Sequence, residues 1–569
     1  MNRKQRRAGS KKTSPAGVVR EQSVARLFAD ATGAQQQGKF DVAARAYQRL
    51  LSLKPDHAEA SNNLAQVLMA KGKFAEASAS FARTLDLMPQ LLSQFGAIFR
   101  TLLTLLPPLG EAMRRANAAW PQRLSAEDLL GGGLAAIAAD PLFRTVLRSS
   151  PVRDVALERT LTMLRAALLD MASTAAVSND ATLTFCCALA QQCFINEYVF
   201  ATTPAEDDRV EKIKANLRNA SPMQVGAVAM YGPLHALADA QRLLDRKWPL
   251  AVDDVITLQL REPMQERALR STIPQLTSID NATSRRVQQM YEENPYPRWV
   301  HAPTNAAPLP VDLYLRGLFP TTAFAPLTKT EGLDVLVAGC GTGWHAIGIA
   351  GVLRGARLLA IDLSLASLAY AKRKTPPALV IDYAQADILK LGAIERRFDV
   401  IDASGVLHHM ADPFAGWRTL IGLLRPNGLM HLGFYSELGR RDVVATRAFI
   451  AEHGYGTSAA EIRRARQDLL ATPLASVTRF DDFFTTSECR DLLFHVQESR
   501  TTIPAIKSFL AEHKLKFLGF EFGDAAMRGY RALFGERNWS MSDLDRWHDV
   551  ESKEPDTFSG MYQFWVQKN

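Results

Sequence analysis

The run Asp334-Val335-Leu336-Val337-Ala338-Gly339-Cys340-Gly341-Thr342-Gly343-Trp344-His345 constrains this chain more than any other stretch. Val335 to Ala338 are apolar without alternation, the pattern of a central parallel strand covered on both faces. Three glycines at alternate positions then let the backbone pass close beneath a ligand, where a Cβ would collide. From Trp344 an apolar helix is expected (Ile347, Ile349, Ala350, Leu353). Its first N–H groups point at whatever fills the turn. Strand, glycine turn and helix in this order form a cradle for a nucleotide-like molecule.

The dinucleotide fingerprint G-x-G-x-x-G would require glycine at 344, and that residue is Trp344. A second apolar strand, Leu358 to Ile361, ends in Asp362, placed to take two ribose hydroxyls by charge-assisted hydrogen bonds. Ser364 caps the helix that follows. Val380 to Ala386 runs into Asp387-Ile388, and Phe398 to Ser404 reads as a fourth strand, followed by Gly405-Val406-Leu407-His408-His409. Asp412-Pro413 opens a helix, Arg425 to Gly428 stops it, and Leu429 to Phe434 is a fifth strand.

This glycine spacing, with the strand-end acid and five elements in order, resembles the class I S-adenosylmethionine-dependent methyltransferases. The resemblance covers residues 326–569 and implies an α/β, Rossmann-like domain with a seven-stranded, mostly parallel sheet. Leu515 to Phe522 and Met561 to Val566 would be its sixth and seventh strands, the last antiparallel. It implies S-adenosyl-L-methionine as cofactor, held by Gly339, Cys340, Gly341, Thr342, Gly343, Asp362, Leu363, Asp387, Ile388 and Ser404, with Asp387 at the adenine edge. Val337 stands where many members carry an acid near the methionine amine, so that amine needs another partner. Residues 437–514 are too long for a connection and are expected to be a helical insertion shaping the substrate pocket.

Between 279 and 325 the texture changes. Tyr291 to Trp299 packs two prolines, three aromatics and Arg298 into nine residues. Prolines preset an extended path, so this segment is read as a lid: Arg298 offers a fork to the cofactor carboxylate, and Tyr291 or Tyr296 a ring or hydroxyl. A linker clasped to the domain surface is the structural alternative. Methyl transfer from a sulfonium needs mainly alignment and exclusion of water. Where the acceptor is protonated, His408 or His409, just after the fourth strand, is the candidate base; the structural alternative, the commoner one for such a residue, is a packing or loop-fixing histidine.

Upstream lies an internal repeat. Gly38-Lys39-Phe40 returns 34 residues later as Gly72-Lys73-Phe74, with Ala43 as Ala77, Tyr47 as Phe81 and Pro55 as Pro89. This resembles two tetratricopeptide repeats, placed at 23–90, which implies docking of a protein or peptide partner. Two repeats cannot cover their own ends, and a divergent helical region at 91–278 supplies candidates to cap them. The whole order resembles bacterial fusions of such repeats with a methyltransferase.

At 569 residues more than one domain is expected. Residues 1–20 hold seven Lys or Arg and no acid, so nearly all of the net charge of +8 sits there. A disordered basic tail over 1–22 is expected, the one place for a nucleic acid to touch. Five cysteines without a C-x-x-C pair suggest a reducing, cytoplasmic setting and no metal site. Val335 to Leu353 lacks charge, but its five glycines argue against a membrane span. Two other functions compete with an active methyltransferase of unknown acceptor. One is a non-catalytic scaffold whose methyltransferase-like domain binds cofactor; the other, disfavoured by Trp344 and Asp387, is a dinucleotide oxidoreductase.

Overall fold

The computed structural model describes residues 15–174, 179–303, 307–327, 329, 331–522, 524–535 and 542–569. The chain forms two compact units, one of residues 1–192, 204–230 and 248–252, the other of 193–203, 231–247 and 253–569.

The first unit is helical. α1 (Pro15–Gln36), α2 (Phe40–Leu53), α3 (Ala58–Ala70) and α4 (Phe74–Leu87) pack in sequence as antiparallel neighbours. Small residues are buried on these helices, Ala43 and Ala44 on α2, Ala60 and Ser61 on α3, Ala77 and Ser78 on α4. The repeated glycines Gly38 and Gly72 take φ of +70° and +71° in the turns after α1 and α3, conformations that glycine adopts without strain. Of the tail expected over 1–22, the last residues are helical. Residues 1–14 lie outside the described residues, whereas α1 begins at Pro15, a residue that loses no hydrogen bond in a helix's first turn. Arg20, counted with the tail, donates to the Leu53 carbonyl at the end of α2.

The second unit is built on a sheet of eight strands: β1 (Asp334–Ala338), β2 (Arg357–Asp362), β3 (Ile381–Gln385), β4 (Phe398–Ala403), β5 (Leu424–Ser436), β6 (Arg500–Thr501), β7 (Leu515–Phe520) and β8 (Tyr562–Lys568). Their order is β3-β2-β1-β4-β5-β8-β7, with the two-residue β6 beside β5. β3, β2, β1, β4 and β5 are parallel, and β8 runs antiparallel between β5 and β7. β1 is buried along its whole length. Val335 and Val337 enter the core on one face, Leu336 and Ala338 the core on the other, which is why this strand shows no alternation.

Two boundaries differ from the sequence reading. Residues 253–278, assigned there to the helical region, join the sheet unit. Helix 262–270 packs on helix 365–374, where Arg373 meets Glu262 and Glu266 at 2.9 Å each. The insertion at 437–514 is mainly helical but contributes β6 to the sheet. No helix among the described residues is long and apolar enough to cross a membrane.

Candidate active site

At the carboxyl end of β1 the chain turns so that Gly339 N and Cys340 N both donate to the Ile361 carbonyl of β2, at 2.9 Å. Gly341 then has φ of +51°, and a Cβ there would lie 2.6 Å from the Tyr296 carbonyl oxygen. A Cβ on Gly339 would lie 2.3 Å from Val406. The sequence explained these glycines by the approach of a ligand. In the structure they admit Tyr296 and Val406, which become walls of the site.

Asp362 ends β2 with both carboxylate oxygens engaged: Oδ2 accepts from Gly341 N (2.8 Å) and Oδ1 from Ser364 N (2.9 Å). Burial raises its pKa above the ordinary range, against the pull of these N–H groups. Leu363 is fixed through its carbonyl, which accepts from Gln385 Nε2 and Gln288 Nε2. Asp387 follows β3. Its N–H donates to Thr277, its Oδ1 accepts from Leu389 N, and its buried Oδ2 has no hydrogen-bond partner.

These groups surround a cavity of about 370 Å³. Gly339, Cys340, Gly341, Asp362, Leu363, Asp387, Ile388, Ser404, Tyr291 and His409 line it, as do Tyr296, Val406 and His345. Thr342 and Gly343 do not. The Thr342 N–H and hydroxyl are spent on the Tyr296 and Pro297 carbonyls, and its own carbonyl accepts from Trp299 Nε1 at 3.2 Å. Val287 and Ser284, from helix 282–293, also face the cavity. Sequence reasoning missed them because proline dominated its view of the segment, although Asn281 caps that helix through Thr283 N and Ser284 N.

Two more expected site residues, beside Thr342 and Gly343, lie elsewhere. Arg298 points away from the cavity, with its guanidinium 4.8 Å over the Phe194 ring and its Nε 3.7 Å from Glu197. It anchors the segment from behind, so a role on the cofactor carboxylate is not supported. His408 is buried off the cavity, 3.8 Å from the Tyr435 ring, and burial holds its pKa well below the usual value.

His409 reaches the wall with its ring, but its nitrogens face protein. Nδ1 lies 3.1 Å from the Gln497 carbonyl and Nε2 3.9 Å from Asp491. Its ring stacks on His495 at 3.8 Å. The Tyr291 hydroxyl donates to Asp491 (2.6 Å) and lies 3.2 Å from His495 Nε2. The face-to-face rings and the interposed hydroxyl make this a hydrogen-bonded set rather than a metal-ligand set, since stacked imidazoles cannot both aim a lone pair at one ion.

A second chain of polar groups lies under the glycine turn. His345 Nδ1 is 3.3 Å from Asp402, Asp402 is 2.6 Å from His431 Nδ1, and His431 Nε2 is 3.6 Å from Glu521. Burial opposes the charged form of His345, but Asp402 outweighs it and the pKa is raised.

The family profile described as a methyltransferase domain matches residues 336–432, which carry the end of β1, β2 to β4, most of β5 and most of the cavity wall. The tetratricopeptide-repeat profile matches residues 28–91. The chain carries a methyltransferase domain behind tetratricopeptide repeats. Its methyltransferase domain is similar to the ubiquinone biosynthesis O-methyltransferase of Azotobacter vinelandii, 34% identical over 114 residues, covering 20% of this chain and 47% of that protein. A Synechococcus protein is 27% identical over 239 residues, 39% of this chain and 57% of its own. The chain thus spans about half the length of these curated relatives. Among solved structures, PKMT2 from Rickettsia typhi in complex with AdoHcy aligns with a TM-score of 0.36 at 17% identity, over 45% of this chain and 52% of that one.

Proposed function

We propose that this protein is an S-adenosyl-L-methionine-dependent methyltransferase whose cofactor occupies the cavity above β1, β2 and β3. The observation that carries the reading is a pair of acids at successive strand ends. Asp362, bound to the glycine turn, has lone pairs left for ribose hydroxyls. Asp387 Oδ2, buried without a partner, suits the exocyclic N–H of an adenine. An unpaired buried acceptor is costly, and a ligand donor offsets that cost. When bound, the cofactor supplies an electrophilic methyl group on a sulfonium.

The chain's own residues hold the cofactor and keep the site dry. The turn at Gly339 to Gly341 and Leu363 shape the floor, Ile388 and Ser404 flank it, and Tyr291, Tyr296 and Val287 close it against water. His409 is a positioning residue in this reading, because both of its nitrogens face the protein. The repeats at 28–91 are proposed to dock a protein or peptide partner. The five cysteines, all buried thiols, accord with a reducing, cytoplasmic setting.

Titrating the full-length protein with S-adenosylhomocysteine in a calorimeter, with NAD as control, tests the cofactor. Binding of the first and not the second is expected. Heat from NAD alone would replace this function with an oxidoreductase.

A further inference from the structure

One row of residues crosses the sheet in register: Val337 on β1, Asp402 on β4, His431 on β5 and Trp565 on β8. Asp402 carries the row's charge. Its Oδ1 accepts from Ser404 N at 3.2 Å and faces His345 Nδ1 at 3.3 Å, while Oδ2 lies 2.6 Å from His431 Nδ1. His431 Nε2 in turn lies 3.6 Å from Glu521, whose Oε1 accepts from Trp565 Nε1 at 2.6 Å. The other nitrogen of His345 stands apart: no described residue hydrogen-bonds to Nε2, and it is not sealed in the interior.

His345 is the second residue of helix 344–352 and lines the cavity beside Trp344. With Nδ1 facing a carboxylate, the neutral ring keeps its proton there and carries a lone pair on Nε2. Burial opposes a positive charge at His345, but Asp402 and, more weakly, Glu521 outweigh it. The field at this end of the cavity therefore favours a cation, and no arginine or lysine among the described residues lines the cavity to supply one. The strands lie in the order β3-β2-β1-β4. With adenine at Asp387 beyond β3 and ribose at Asp362 on β2, the cofactor's amino-acid arm continues toward β1 and β4. Val337 brings β1 no charge there, and Asp402, its partner in register on β4, does.

We propose that His345, backed by Asp402, binds the ammonium group of the cofactor's methionine arm through an N–H···Nε2 hydrogen bond. This rests on the cofactor reading of the cavity. Asp402 is buried and does not line the cavity, and the imidazole carries its pull outward. As the ammonium donates to Nε2, the Nδ1–H draws on Asp402, and the positive charge is shared along the line. The rival use of the same ring, as a cation for the arm's carboxylate, would bring an anion into a field set by Asp402 and Glu521, which oppose it. Asp402 is a positioning residue in this arrangement, acting through His345. Fixing the arm on one side and the ribose on the other also fixes the sulfonium between them, so the pair helps to aim the methyl group.

The test is calorimetry on the full-length protein with three ligands. They are S-adenosylhomocysteine, its desamino analogue, in which hydrogen replaces the ammonium, and its decarboxylated analogue, which keeps the ammonium. The wild type should bind the desamino analogue about tenfold more weakly than S-adenosylhomocysteine, as for one lost charge-assisted hydrogen bond, and the decarboxylated analogue should lose less. His345→Phe keeps a ring and removes both nitrogens, and it should erase the preference for the ammonium. Asp402→Asn, which keeps an oxygen for Ser404 N, should shrink it. The desamino analogue should bind both variants as it binds the wild type, which shows that they fold. A wild type that does not distinguish the desamino analogue overturns the assignment, whatever the variants do. So does a variant of either kind that keeps the full preference, or a larger loss with the decarboxylated analogue, which would make His345 a carboxylate partner. Failure of all three ligands to bind the wild type overturns the cofactor reading, and this one with it.

Discussion

His409 and His495 lie stacked, ring centres 3.8 Å apart, and the backbone of one residue sets both tautomers. Gln497 N donates to His495 Nδ1 at 3.0 Å, while the Gln497 carbonyl faces His409 Nδ1 at 3.1 Å. The neutral His495 therefore carries its proton on Nε2, toward the Tyr291 hydroxyl, and the neutral His409 carries its own on Nδ1. Protonating either ring would put a charge against its stacked neighbour in a buried site.

Stability should accordingly fall on the acid side of neutrality. Burial lowers the pKa of His408, His409 and His495 below the ordinary 6.5. The unfolded chain then binds protons that the folded one refuses, so stability is full above pH 6.5 and is lost as pH drops below it. All three histidines act in the same direction across that window. His345, raised by Asp402, works the other way and offsets part of this. Melting temperature measured from pH 7.5 to 5.5 should drop, with a shallower slope in His408→Asn. Equal slopes would mean that the buried histidines do not titrate in the unfolded chain alone.

Asp362→Asn should weaken S-adenosylhomocysteine binding tenfold or more, for the loss of about 1.5–3 kcal/mol in a charged hydrogen bond. The substitution keeps one oxygen for Gly341 N, so the glycine turn is disturbed less than by alanine. Calorimetry showing wild-type affinity would remove Asp362 from the ribose.

A protein that starts at Pro15 sets the reference melting temperature for α1. Removing 1–22 should lower it, because it cuts into α1 and deletes the Arg20 contact with the Leu53 carbonyl. A loss of about 1 kcal/mol is expected from one such bond and the frayed helix end. Matching thermal scans of the two truncations would show that α1 before Ser23 contributes nothing.

β1 to β5 were legible because each is a run of neighbouring residues that a local pattern describes. Asp362 and Asp387 fell out of the same pattern, as the last residue of β2 and the second after β3. What was not legible depends on partners far along the chain. Tyr291 meets Asp491 two hundred residues on, and nothing near either residue announces the other. Gly341 looked like room for a ligand because sequence shows a missing side chain and not what takes its place; here that is the Tyr296 carbonyl. For Arg298 and His408 the element was found, but not the direction of the side chain.

Arg298 separates an anchor from a ligand group most directly. Its guanidinium lies over the Phe194 ring at 4.8 Å and the Tyr370 ring at 5.6 Å, and its Nε is 3.7 Å from Glu197. Burial already keeps the Glu197 carboxyl above its ordinary range despite the arginine. Arg298→Met keeps the bulk but leaves that carboxyl without its cation, a change that costs about 3 kcal/mol in buried pairs. The melting temperature should fall while S-adenosylhomocysteine affinity stays near wild type, since Arg298 does not line the cavity. Tyr296→Ala should show the reverse balance, because Tyr296 forms wall of the cavity while its backbone, which holds Thr342, is kept. Calorimetry and thermal scans on the pair decide the matter. An Arg298→Met protein of full stability and weakened affinity would return Arg298 to the cofactor carboxylate, and the rear anchor would have to be abandoned.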